Sequence, residues 1–379
     1  MSKPDKQTDK AGAAGILPVQ QLTRAMEQGH IRLAQPVAEG QIQPASLDLR
    51  LGLRGWRVQA SFLPGSQALV ADKLEKFAMH AIDLSSGAVL EKGCVYIVEL
   101  MESLALPADI AALANPKSST GRLDVFTRLI TDNGTAFEAV PPGYHGPLYA
   151  EISPRTFSIL VRPGSRLSQL RLRRGQARLD DSQLRALQET AQLVRPAADQ
   201  KAGISIDDGI GLSVNLAPDP QSGLVGWRAR KHAGLVDLDK PASLPRNRFW
   251  EAVRADDLTG GGLVLNPDEF YILASREYVC VPDDYAAEMR AYDTRVGEFR
   301  AHYAGFFDPG FGSAELGASQ TRAVLEVRSH DVPFLIEQDQ IVCRLVYEPM
   351  ADRPDQLYGA SGSGSNYQAQ GLKLAKHFI

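Results

Sequence analysis

Cysteine is scarce in this 379-residue chain. The three present, Cys94, Cys280 and Cys343, lie far apart inside apolar runs and form no CxxC pair. An odd, scattered set argues against a disulfide framework and against a structural zinc site. The seven histidines are just as dispersed, with no HxE or HExxH arrangement, so the HxE…PCxxC zinc signature is missing. No metal-ligating residue is assigned. Apolar runs are strand-sized, well short of the ~18 residues of a membrane span, and residues 1–12 lack the apolar core of a signal peptide. A formal net charge of −4 provides no basic field for nucleic acid. The expected setting is cytoplasmic, with neither a membrane nor a nucleic acid as partner.

What the chain has is size and short apolar runs. Hydrophobic residues make up 44% and charged residues 23%, ordinary values for a globular protein long enough for two domains. Runs punctuated by Gly and Pro read as strands, among them 46–53, 95–100, 148–152, 158–161, 270–274, 323–327 and 341–347. Two helices stand out, one over about 18–28 closed by Gly29 and one over about 181–194 stopped by Pro196. This pattern predicts a mostly-β protein with a few peripheral helices.

The two halves repeat each other. Gly87-Ala88-Val89-Leu90, Tyr96-Ile97-Val98 and Pro107-Ala108-Asp109 match Gly262-Leu263-Val264-Leu265, Tyr271-Ile272-Leu273 and Pro282-Asp283-Asp284 at one spacing, 271 − 96 = 175. That spacing carries Glu151 onto Glu326 and Leu160 onto Leu335. Gly55-Trp56-Arg57 echoes Gly226-Trp227-Arg228 at 171. A tandem duplication of one β-domain follows. The expected boundaries are a disordered N-terminus over 1–14, a first β-domain over 15–175 and a helical linker over 176–202. A second, degenerate β-domain over 203–350 and a flexible C-terminal lid or tail over 351–379 complete the chain.

The densest chemistry lies in Lys117-Ser118-Ser119-Thr120-Gly121-Arg122. Hydroxyls and backbone N–H groups donate to phosphate oxygens, Lys and Arg neutralise them, and Gly121 allows close approach of the backbone. Taken alone, the run also fits a solvated turn. At the 175 spacing Ser118, Ser119 and Arg122 fall on Asp293, Thr294 and Gly297. A turn demanded by the fold would recur in the copy; its loss points to one working site and one degenerate copy. A carboxylate beside such a cradle would repel phosphate, so Glu151 is expected to serve another part of a nucleotide.

In order along the chain, Pro44-Ala45-Ser46-Leu47-Asp48-Leu49-Arg50-Leu51-Gly52, the Lys117–Arg122 run, Pro142-Gly143-Tyr144-His145-Gly146, Glu151 and Gln370-Gly371 resemble the dCTP deaminase family, relatives of the trimeric dUTPases. The likeness covers about 16–172 well and the second half weakly. It departs from the family pattern at Lys117, where Arg is usual, and at Asn366, where relatives carry a lid Lys. The resemblance implies two tandem dUTPase-like domains, each a distorted β-barrel or jelly roll. It implies zinc-independent deamination of dCTP to dUTP and ammonia, with Glu151 as general base then acid, and Ser118 and Arg122 orienting water and stabilising charge. Substrate contacts are assigned to Lys117, Ser119, Thr120, Gly121, Glu138, Tyr149, Ala150, Tyr358 and Gln370, with Mg²⁺ arriving on the triphosphate. Asp48 is read as structural, fixing a turn or pairing with Arg50. A trimer-based homo-oligomer and dTTP as a feedback ligand are further expectations. Two alternatives stay open: a bifunctional enzyme that also hydrolyses dUTP to dUMP through Asp132, Glu138 or Asp308, and a non-catalytic nucleotide-binding regulator.

Overall fold

The computed structural model describes residues 13–200, 203–290, 300–301, 305–329, 331–360 and 371–379. Gln370, Asn366 and the counterparts of the cradle at Asp293, Thr294 and Gly297 lie outside the described residues, as do residues 1–12. Strands dominate. One sheet runs in the order Ala139–Val140, Ile110–Pro116, Arg166–Arg174, Ser46–Val58, Val95–Ala105, His145–Pro154, Val125–Thr131. The other runs Trp250–Arg254, Leu224–Ala229, Phe270–Val279, Ile210–Asn215, Ile341–Pro349, Tyr285–Arg290, Phe306–Phe307. One nearly closes into a barrel-like sheet and the other forms a half-barrel. No helix among the described residues is long and apolar enough to cross a membrane.

The strand Ser46–Val58 shows how sequence sets this shape. Residues 46–52 are all buried, because both faces of the strand are covered. At Gly52 an added Cβ would meet the Glu99 carbonyl oxygen at 2.8 Å, so only glycine lets the strand bend against its neighbour there. Residues 47–50 pair with Arg166–Arg174, and from Leu51 onward the strand pairs with Val95–Ala105.

The duplication is visible in the register. Glu151 stands opposite Ile97, and Glu326 stands opposite Ile272. Leu160 pairs with Val89 as Leu335 pairs with Val264, and Trp56 pairs with Ile97 as Trp227 pairs with Ile272. The 175-residue spacing is thus a repeat of hydrogen-bonded partners, not only of residue types.

Helices differ from expectation in detail. The first spans Val19–Glu27. The second, Asp181–Ala191, stops before Val194 because Gln192 turns left-handed and Val194–Arg195 pairs with Tyr278–Val279 as a strand. The second sheet therefore begins inside the expected linker. A helix the pattern did not reveal, Val70–Phe77, buries only Val70 and Leu74 and has its first N–H capped by Asp132 at 2.8 Å. The Lys117–Arg122 run is not a loop: Ser118–Gly121 forms a single helical turn.

The halves share a core. One apolar cluster joins Ala150, Ile152 and Phe157 of the first half to Trp250, Phe270, Ile272 and Val324 of the second. Strand Ile159–Val161 pairs in parallel with Val236–Asp237, and Arg162 grips Asp237 at 2.7 Å.

Candidate active site

Alternation along Arg322–Arg328 sets up the site. Ala323, Leu325 and Val327 face the second half's own core, which sends Val324, Glu326 and Arg328 to the opposite face. That face meets the first half just where the Ser118–Gly121 turn ends. Arg328 ion-pairs with Asp124 and donates to Thr156 at 3.0 Å, so it clamps the Glu326 strand against the segment carrying Arg122. From this contact opens a cavity of about 940 Å³, within the range of small-molecule sites. First-half residues on its wall include Asp48, Lys117, Ser118, Ser119, Thr120 and Arg122; the second half supplies Asp308, Phe311, Val324, Glu326 and Tyr358.

Charge divides the cavity into two ends. At one, Glu326 Oε1 stands 3.8 Å from Arg122 Nε, both buried. Burial pushes the Glu326 carboxyl up to about 8, and the Arg122 charge opposes that shift. A carboxyl balanced near neutrality can both take and return a proton. At the other end, Lys117 Nζ reaches both Asp48 oxygens at 2.5 Å, and Arg166 approaches Asp48 at 3.6 Å. Lys376 lies close enough to feel Lys117, Asp48 and Arg166, and burial followed by the Lys117 charge lowers its pKa. Three cations thus gather around Asp48 at this end, with Asp239 and Asp308 also on the wall.

Residues 371–379 form part of the wall. Arg122 Nη1 donates to the Lys373 carbonyl at 2.7 Å, and Lys376 and His377 line the cavity. The expected flexible tail is, over these residues, a docked strap: Ala242 N–H donates to the Lys376 carbonyl at 2.9 Å, and Leu244 N–H to that of His377 at 3.0 Å.

Residues 13–176 match the family model for the 2'-deoxycytidine 5'-triphosphate deaminase N-terminal domain, and residues 180–378 match that for its C-terminal domain. The chain belongs to the dCTP deaminase family. A crystal structure of 2'-deoxycytidine 5'-triphosphate deaminase from Agrobacterium tumefaciens superposes with a TM-score of 0.84 at 54% identity, covering 90% of this chain and all of that one. The dCTP deaminase of Haloarcula marismortui is 30% identical over 159 residues, 41% of this chain and 78% of the relative. The dUMP-forming dCTP deaminase of Methanobrevibacter smithii is 33% identical over 114 residues, 29% of this chain and 55% of the relative. The chain thus spans about half the length of that last relative.

For a dCTP deaminase chain, the structure redistributes the expected site residues. Ser118 and Arg122 lie on the cavity, as do Lys117, Ser119, Thr120 and Tyr358. Thr120, however, commits its hydroxyl to the Leu167 carbonyl at 2.7 Å, a scaffold bond. Gly121 is buried in the turn and does not line the cavity. Asp48 pairs with Lys117, whereas Arg50 is taken by Glu102 at 2.8 Å.

Glu151 lies away from this cavity. It is buried on the other side of its sheet, where Arg128 on the adjoining strand binds Oε1 through Nε at 3.0 Å and Nη2 at 2.5 Å. Phe137 stacks on that guanidinium 3.4 Å away, and Ser61 accepts from it at 2.8 Å. Glu151 is absent from the cavity wall. Its strand neighbours follow: Tyr149 packs with Ile97 and Ile130, and burial pushes its hydroxyl up to about 12, while Ala150 sits in the shared core. Glu138 is half-buried and does not line the cavity; its carboxylate accepts from Leu129 N–H at 3.2 Å, and desolvation pushes it up to about 8.

Glu326 is the site component sequence reasoning did not assign, whereas the tail was expected at the site as a lid. The signal for Glu326 was present, since the repeat aligned it with Glu151. What it lacked was the information that the cradle of one repeat packs on the carboxylate of the other.

Proposed function

We propose that this chain catalyses hydrolytic deamination of dCTP, taking water and releasing ammonia and dUTP, with Glu326 as its acid/base. The observation that carries the reading is the buried Glu326 carboxyl 3.8 Å from Arg122 on the wall of a cavity shared with Ser118. Deamination at C4 of cytosine needs one water deprotonated for attack and one proton returned to the departing amine. Glu326 takes the first proton and delivers it to nitrogen, so the carboxyl ends as it began. The Arg122 guanidinium and Ser118 hydroxyl, which surround the same end, stabilise charge that develops on the addition intermediate and hold the water. Val324 and Phe311 give the ring an apolar wall. The triphosphate, carried as its Mg²⁺ complex, lies toward Lys117, Arg166 and Lys376, and Tyr358 borders the cavity from the second half.

The alternative product, dUMP, has one feature in its favour. Of Asp132, Glu138 and Asp308, only Asp308 lines the cavity, held by Arg171 at 2.9 Å and raised in pKa by burial. Incubation with dCTP and Mg²⁺, following ammonia and resolving nucleotides by anion exchange, tests both. Ammonia with dUTP supports the deaminase reading; ammonia with dUMP and pyrophosphate assigns the second step; dCTP binding without ammonia contradicts both and favours a regulator.

A further inference from the structure

We infer that Phe378 is a positioning residue for Arg122: by locking the segment 371–379 into an aromatic pocket built from both halves, it fixes the Lys373 carbonyl that orients the Arg122 guanidinium beside Glu326. The inference rests on the deaminase reading above. A guanidinium is a planar fork of donors whose orientation is set by the acceptors it finds. Arg122 finds the Lys373 carbonyl at 2.7 Å, from a residue 251 positions away in the chain. That acceptor is only as fixed as the segment that bears it.

The segment has no strand or helix of its own, so its order rests on backbone hydrogen bonds to residues 242–246 and on side-chain anchors. Leu374 and Ala375 are buried in the shared core. Phe378 carries the largest anchor: its ring lies 6.3 Å from Phe157 of the first half, 5.3 Å from Phe249 and 5.8 Å from Trp250 of the second, edge-on to the last at 87°. Such tilted and edge-to-face contacts favour one placement of the ring beyond the area they bury. His377 adds a contact between Nε2 and the Leu238 carbonyl at 3.0 Å. One aromatic cluster therefore ties the two halves, the strap and, through a backbone carbonyl, the cation facing Glu326.

The charged surroundings of Glu326 make the effect readable in a pH profile. Arg122 is the cation facing it; Arg328, two residues along its strand, is committed to Asp124, and Asp308 across the cavity is committed to Arg171. The Cys343 thiol, within electrostatic reach, is itself pushed up by burial. Releasing Arg122 removes the larger of the effects that oppose burial, so the Glu326 titration moves to higher pH.

The test uses the full chain with Phe378→Ala and Phe378→Leu, measuring kcat, KM for dCTP and the acidic limb of kcat/KM. Expected for Phe378→Ala is a kcat lower by about 10- to 100-fold, with that limb displaced to higher pH. Phe378→Leu, which keeps an apolar filling, falls between it and the parent on both readouts. Should Phe378→Ala not fold, the Leu variant carries the test through the same displacement. An unmoved limb in the folded variants, whatever the loss of soluble protein, overturns the inference and leaves Phe378 a stability residue. A parent protein that releases no ammonia from dCTP overturns the deaminase reading instead, and the positioning role falls with it.

Discussion

Glu326 and Glu151 occupy equivalent places in two copies of one strand pairing, opposite Ile272 and Ile97, but one faces a cavity and the other a guanidinium. The consequence for Glu326 is a carboxyl that gains its negative charge only near pH 8. Because the base form abstracts the proton from water, kcat/KM for dCTP should rise with pH through an ionisation near that value, measurable in a steady-state pH series. Linkage gives a second expectation. An unfolded Glu ionises near 4.5 and the folded one near 8, so the folded state holds the proton more tightly, and stability is lost as pH rises between those values. Glu326→Gln removes that loss; its thermal midpoint should exceed the parent's by a margin that grows from pH 5 to pH 8 and vanishes below. The residue types of the cradle were legible in the sequence because hydroxyls and cations cluster there. The partner carboxylate was not, because which of two equivalent glutamates meets the cradle is decided by packing between halves.

At the scale of elements, the strand Arg322–Arg328 and the turn Ser118–Gly121 form a unit joined by Arg328 and Asp124. Asp124 is almost fully buried with a left-handed backbone, and it also accepts from Thr156 Oγ1 at 2.5 Å. Arg328→Ala would leave that carboxylate without its cation, at a cost of about 3–5 kcal/mol. Denaturant unfolding should show the loss, with weaker turnover in the folded fraction because Glu326 shifts against Arg122. Strand positions were readable from apolar runs, and so was their pairing from the repeat. The helix Val70–Phe77 was not readable, since it buries only two side chains and its cap comes from Asp132, 62 residues further along the chain. The strand Val194–Arg195 was hidden for the opposite reason: its residues continue the apolar pattern of the preceding helix, and only Gln192 marks the break.

For the whole molecule, the shared apolar cluster and the docked strap make the halves one unit. Phe157 of the first half contacts Phe249, Trp250 and Phe378. Phe157→Ala should therefore cost about 3–5 kcal/mol, and calorimetry should record one cooperative transition for parent and variant rather than separate melting of each half. The sequence showed two similar domains and a single cradle. It did not show that a carboxylate of the second domain, Glu326, packs beside Arg122 of the first. The 361–370 run is glycine- and serine-rich, which suggested a flexible lid or tail, and Lys376 and His377 beyond it line the cavity.

The most direct test of this account compares Glu326→Gln with Glu151→Gln for ammonia release from saturating dCTP, with denaturant stability measured alongside. The account predicts that Glu326→Gln loses activity by about a thousandfold or more. Glu151→Gln should keep kcat within about threefold while losing about 1–3 kcal/mol of stability through its weakened bond to Arg128. Full activity in folded Glu326→Gln, or its disappearance in folded Glu151→Gln, would contradict the assignment of the acid/base to the second half.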